Sequence, residues 1–140
     1  TGTHPTLKSF RERPRAVCLC VCSNAQTSSV ASTVHDARLW FGSTELNASV
    51  PSLWCMALIQ GRIEAGDVIG FQVCRKGETA VLWHRAIYSA PPVRGVVHCS
   101  TRFTGLREIS PGMYTLTCRV NGRMAGKVEL EVYEEVEDRL

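Results

Sequence analysis

Four kinds of motif are missing from the sequence. It has no Cys-x-x-Cys pair, no nucleophile elbow, no glycine-rich phosphate loop and no paired-carboxylate motif. Each absence removes a class of chemistry, because a reaction needs a nucleophile with its base, a phosphate cradle or two opposed acids at short range. The reading is therefore not an enzyme, with no cofactor. No apolar run reaches the 18 or so residues of a membrane-spanning helix. Internal repeats and low-complexity segments are absent, and a net charge of +3 is too small to imply a nucleic-acid partner. The chain begins at Thr1 without an initiator Met or a signal peptide. That reads as a processed or trimmed product, and an ectodomain cut from a membrane-anchored parent fits it, with any anchor outside this chain.

What is present describes one globular domain. The chain has 140 residues, of which 44% are hydrophobic and 21% charged, enough for a sizeable core and too apolar for disorder. Charge gathers at the ends. Residues 1–15 form a basic arm carrying Lys8, Arg11, Arg13 and Arg15, and residues 134–140 form an acidic tail. Seven cysteines are many for this length: Cys18, Cys20, Cys22, Cys55, Cys74, Cys99 and Cys118. With the glycosylation triplet at Asn47 they favour an oxidising compartment and a disulfide framework. The odd count leaves one thiol free or paired outside the chain. Zinc ligation by Cys18, Cys20 and Cys22 is the alternative, but zinc sites use a Cys-x-x-Cys type of turn and a fourth ligand. His4, His35, His84 and His98 have structural or surface roles, since His98 and Cys99 are neighbours on a strand and face opposite ways.

Along the chain the dominant period is two. Over 111–133, Tyr114, Leu116, Cys118 and Val120 share one face before Asn121-Gly122. After it, Met124, Val128, Leu130 and Val132 share one face, opposite Lys127, Glu129 and Glu131. Asn-Gly supplies the two positive φ angles of a type I′ turn, so the segment predicts a hairpin with Val120 opposite Arg123. In 16–22, Val17, Leu19 and Val21 alternate with the three cysteines and predict a strand. The polar run 23–33 predicts a loop or a short helical turn. Segment 34–41 fits neither period, and 42–50 predicts an exposed loop bearing the glycan. The apolar run 52–59 predicts a strand buried on both faces. Strands follow over 66–74 and 79–88, with short pieces at 96–99 and 102–106. About eight short strands with turn signals between them predict an antiparallel sandwich or barrel.

The second half, about 60–133, resembles an immunoglobulin-like domain. Gly66-Asp67 leading to Cys74 resembles strand B with its cysteine, and Trp83 within 81–85 resembles the core tryptophan of strand C. Pro111-Gly112-Met113-Tyr114 leading to Cys118 resembles the tyrosine corner and strand F, although the tyrosine here stands four residues before the cysteine. The resemblance implies an all-β, divergent immunoglobulin-like sandwich over 16–133, with a variable-type elaboration or extra N-terminal elements. It also implies a Cys74–Cys118 bridge worth about 3–4 kcal/mol and a buried Trp83. Around Cys74, Ile69, Phe71 and Val73 are out of phase with the cysteine. Cys118 pairing with Cys55 or with the 18–22 cysteines therefore stays open.

In style, with irregular cysteines and one sequon, the chain also resembles the cytomegalovirus immunoevasins that bind host class I MHC molecules. That implies a glycoprotein domain of the endoplasmic reticulum lumen or cell surface. It implies a protein partner: class I MHC or another immune-surface receptor. A host adhesion or receptor domain is the alternative. Contact candidates are Trp40, the arm residues Arg11, Arg13 and Arg15, and the outward row Lys127, Glu129 and Glu131. Trp40 is the preferred anchor if exposed, because aromatics and arginines dominate interfaces; a place in the core is the plainer expectation for it.

Overall fold

In the computed structural model the expected hairpin is formed by β9 (Gly112–Val120) and β10 (Arg123–Tyr133), antiparallel, with Val120 opposite Arg123. Asn121 and Gly122 take φ of 50° and 82°, the left-handed pair a type I′ turn requires. The turn is also tied sideways. The Asn121 amide donates to the Val68 carbonyl at 2.8 Å, and the Val68 amide donates to Asn121 Oδ1 at 2.9 Å.

The structure describes residues 13–27, 32–46, 53–92, 95–106 and 109–134. Before the hairpin come β1 (Arg15–Cys22), β2 (Asn24–Thr27), β3 (Ser32–His35), β4 (Trp40–Gly42) and a 3₁₀ turn (Ser43–Leu46). Then follow β5 (Trp54–Gln60), β6 (Val68–Arg75), β7 (Val81–Tyr88) and β8 (Val96–Arg102). Two sheets make the sandwich: β1-β5-β8, and β4-β10-β9-β6-β7. A two-stranded sheet, β2-β3, stands apart from both. Neighbours are antiparallel except β4, which runs parallel to β10. This is an all-β immunoglobulin-like sandwich.

Alternation places the core between the two sheets. Leu19 and Val21 of β1, and Cys55, Ala57 and Ile59 of β5, meet Phe71, Leu116, Cys118 and Leu130 from the other sheet. Burial of each large apolar side chain contributes about 1.5–3 kcal/mol. β5 is buried on both faces, as its unbroken apolar run predicts, because the β2-β3 hairpin covers its outer side. There Cys20, Cys22, Ala25 and Met56 form a second small core, with Cys18, Val34, Trp54 and Leu58 packed against it. The Tyr114 hydroxyl donates to the Ser110 carbonyl at 2.5 Å, so the buried phenol at the expected corner is satisfied.

The structure corrects several expectations. The polar run 23–33 holds two strands, β2 and β3, and no helical turn is present in its described residues. The 42–50 loop contains the 3₁₀ turn, whose Leu46 is buried; Asn47 lies outside the described residues. The two pieces at 96–99 and 102–106 are one strand, β8, as far as Arg102. A register shift between Met124 and Gly126 turns Met124 onto the outer face, away from Val128, Leu130 and Val132. A second, between Ala16 and Cys18, leaves Val17 exposed while Leu19 and Val21 point inward.

The larger correction concerns strand identity. β6, carrying Cys74, lies in the same sheet as β9, and Cys118 stands opposite Phe71 while Cys74 stands opposite Thr115. Three register positions amount to roughly 10 Å, beyond the reach of a disulfide. Ordinary alternation turns the Cys74 thiol to the face opposite Val73, the register shift beside it placing the extra residue, Leu82, on β7. Gln72 Nε2 donates to Cys74 Sγ at 3.5 Å. The strand-B position belongs to β5 with Cys55, and Phe71 of β6 is the aromatic beside Cys118. Trp83 is buried as expected, but on the edge strand β7. Its indole packs on Phe103 with centroids 4.6 Å apart, and its Nε1 donates to the Thr104 carbonyl at 2.9 Å.

Candidate binding face and its cleft

The two outer faces of the sandwich differ. The three-stranded sheet has its own hairpin over it. The five-stranded sheet has no second layer among the described residues. Large hydrophobic side chains gather on that bare face: Trp40 on β4, Tyr133 on β10, Met113 on β9, Val68 on β6, and Leu82 and Tyr88 on β7. Tyr88 is 80% exposed and Trp40 53%. Met124 joins the same face through the register shift in β10. Val81, opposite Cys74, lies on this face as well, so among the described residues only Val17 and Leu39 of the exposed large hydrophobics lie elsewhere.

Charge is graded across the same face. Lys127, Glu129 and Glu131 all point outward from β10, and Glu131 stands beside Trp40 in the parallel register. Lys76 reaches Glu129 at 3.0 Å; both side chains are more than half exposed, so this pair adds little to stability. Towards β7 the outward groups are Arg119 and His84.

A cleft opens at the β4 end, lined by Asp36, Arg38, Trp40, Glu45 and Tyr133 and enclosing about 370 Å³. It forms because the chain changes sheets here. β3 ends at His35, Asp36 turns at a φ of 61°, and Arg38 makes a single bridge to Val21 of β1 before β4 joins β10. Arg38 holds the crossing together. Its Nε donates to Asp36 Oδ2 at 3.3 Å, and one terminal nitrogen donates to the Trp40 carbonyl at 2.6 Å and to Glu45 Oε2 at 3.2 Å. The other donates to Glu45 Oε1 at 2.7 Å and to Ser23 Oγ at 3.4 Å. All five guanidinium donors are thereby used. The hydrogen bonds that Arg38 donates to Glu45 raise its pKa above the ordinary value, keeping the group charged although its side chain is only 8% exposed. Glu45 also accepts from the Gly42 amide at 2.6 Å, which fixes the end of β4. The Trp40 side chain is thus presented outward by a braced backbone.

The cysteines take no part in either site. All seven are free thiols. Cys55, Cys99 and Cys118 share the main core, and burial pushes the Cys118 thiol up to about 12 and the Cys55 and Cys99 thiols upward as well. In the hairpin core, burial raises Cys20 to about 12, with Cys18 and Cys22 adding to the shift, and raises Cys22 to about 11. Such thiols stay protonated at neutral pH, whereas nucleophiles and zinc ligands are thiolates. Among the described residues no group of three or more His, Cys, Asp or Glu side chains is placed to hold a metal ion. No helix of the described residues is long and apolar enough to cross a membrane.

Of the contact residues read from the sequence, Trp40, Lys127, Glu129 and Glu131 come together on one face, and Trp40 is exposed rather than part of the core. Arg13 and Arg15 sit at the start of β1, in the other sheet, and do not join them; Arg11 lies outside the described residues. Sequence reasoning missed Asp36, Arg38, Glu45 and Tyr133 in the cleft, and Leu82, Tyr88 and Met113 on the face. The available signal was the charged pair Asp36 and Arg38 inside an otherwise apolar, aperiodic segment.

No family model matches the chain, and no curated protein does. Among solved structures, an immunoglobulin-like protein from Pseudomonas aeruginosa is similar at 10% identity, with a TM-score of 0.45, covering 88% of this chain and 98% of that one.

Proposed function

We propose that this domain is a non-enzymatic protein-recognition module whose contact surface is the outer face of the five-stranded sheet. The observation that carries the reading is the segregation of exposed hydrophobic side chains onto that face, while the opposite outer face is covered by the chain's own hairpin. Scattered apolar residues are normal on a surface, but their concentration on one face marks an interaction site. Here they form two groups, Trp40, Tyr133 and Met113 at one end and Met124, Val68 and Tyr88 at the other, with Lys127, Thr117, Gln72 and His84 between them. The sequon and the cysteine content support a secretory or cell-surface setting. Class I MHC as the partner, and viral immune evasion as the role, are supported by the sequence resemblance alone.

The test is direct binding to a folded class I heavy chain with its light chain, alongside a panel of other immune-surface receptors. Leu82→Glu and Tyr88→Arg, both at exposed positions, should abolish any specific association while leaving the unfolding midpoint nearly unchanged. Variants that unfold normally and still bind would refute the sheet face. Failure of class I alone to bind at high micromolar concentration would remove that partner and direct attention to the rest of the panel.

A further inference from the structure

The cleft beside β4 has a chemistry of its own, and its reading rests on the sheet face being a protein-binding surface. Two aromatic side chains stand at its mouth, Trp40 and Tyr133. In the parallel register Trp40 stands beside Glu131 and Tyr133 beside Gly42, so the two rings are diagonal neighbours on one face. Two carboxylates, Asp36 and Glu45, line it against one guanidinium, and the outward Glu131 adds a further negative charge at its edge. On the same face Lys76 is engaged by Glu129.

The guanidinium is not available to a ligand. Every donor of Arg38 already has an acceptor, so the cleft is not built for an anion. What it offers outward is π-faces and carboxylate oxygen; Asp36 is 66% exposed. A volume of about 370 Å³ is at the small end of ligand sites, the size for one long side chain rather than a cofactor. Aromatic faces and a carboxylate select a cation, and a planar guanidinium suits both, because it stacks on an indole while its fork meets a carboxylate.

We propose that this cleft is a socket for a basic side chain of the partner protein, an arginine, with Trp40 and Tyr133 stacking on it and Asp36 pairing with it. The test is titration of the isotope-labelled domain with an acetylated, amidated Gly-Arg-Gly peptide, following the Trp40 indole N–H resonance. A parallel titration uses the same peptide with citrulline, which has the shape of arginine without the charge.

The expected result is a saturable shift of the Trp40 signal with the arginine peptide and none with citrulline. Asp36→Asn and, independently, Tyr133→Ala should each weaken binding by at least about fivefold. Tyr133 is an exposed residue, so its variant keeps the test valid if Asp36→Asn disturbs the turn. Equal shifts with citrulline, no shift of Trp40, or undiminished affinity in both variants would overturn the socket. A null titration while Leu82→Glu and Tyr88→Arg still abolish partner binding refutes the socket and keeps the sheet face. A positive titration while those variants bind normally keeps the socket and refutes the wider face.

Discussion

Trp83 shows what one side chain contributes on an edge strand. Only 6% of it is exposed, although its β7 neighbours Leu82 and His84 face solvent. Its ring fills the space beside Phe103, and Phe103 in turn meets Phe41, with centroids 6.4 Å apart. Trp83→Ala removes that volume and strands the Thr104 carbonyl, so it should cost about 3–5 kcal/mol of unfolding free energy. Trp83→Phe keeps most of the packing and loses the 2.9 Å hydrogen bond; it should cost nearer 1 kcal/mol beyond the change in volume. Denaturant melts of both variants decide this, and a near-zero effect of the alanine change would mean that the β7 edge is not packed as described.

Strands β1 and β10 belong to different sheets and touch where neither has a bulky side chain. A Cβ placed on Gly126 would sit 2.9 Å from the Ala16 Cβ. Both residues adjoin register shifts, which bend their strands towards each other. Gly126→Ala should therefore destabilise by about 1–3 kcal/mol through overpacking, and adding Ala16→Gly should recover part of that loss. A double-mutant cycle with no coupling would show that the two strands do not meet there. Neither register shift is legible in the sequence, because apolar alternation continues through both and places Val17 with Leu19 and Met124 with Val128, whereas the shifts turn both outward. The hairpin itself was legible, since Asn121-Gly122 fixes both turn and register. Segment 34–41 was not, because the chain passes from the β2-β3 hairpin through one bridge on β1 to the parallel edge of the other sheet, and no single period spans that path. The strand carrying Cys55 was legible as a buried strand and misplaced in the topology. Phase was the usable signal: Cys55, Ala57 and Ile59 alternate inward together, whereas Cys74 is out of step with Ile69, Phe71 and Val73.

At the scale of the whole molecule six of the seven thiols separate into two groups that the sheet β1-β5-β8 keeps apart, and Cys74 belongs to neither. Cys18, Cys20 and Cys22 face the hairpin; Cys55, Cys99 and Cys118 face the main core. Under oxidation by glutathione disulfide, Cys118 should therefore link to Cys55 or Cys99, never to Cys74 or to the β1 row. A peptide map showing Cys118 joined to either excluded group would overturn the strand assignment. A bridge to Cys55 closes a long loop and should stabilise by roughly 4 kcal/mol. Reduced protein carries the opposite liability at high pH. Cys20, Cys22 and Cys118 have folded pKa values of about 12, 11 and 12 against 9.0 for the free thiol, and Cys55 and Cys99 are raised as well. Above pH 9.0 the unfolded chain has released these protons while the folded chain still holds them, so the unfolded state binds fewer and stability falls as pH rises. The loss begins near 9.0 and for Cys22 ends near 11. Thermal melts of reduced protein from about pH 8 to about pH 10.5 should show a falling midpoint. The double variant Cys20→Ala, Cys22→Ala should fall less steeply over the same range, having two fewer thiols to hold protonated, and oxidised protein should also fall less steeply because bridged sulfurs do not titrate. Parallel slopes in all three samples would show that the buried thiols do not set the alkaline limit of this fold.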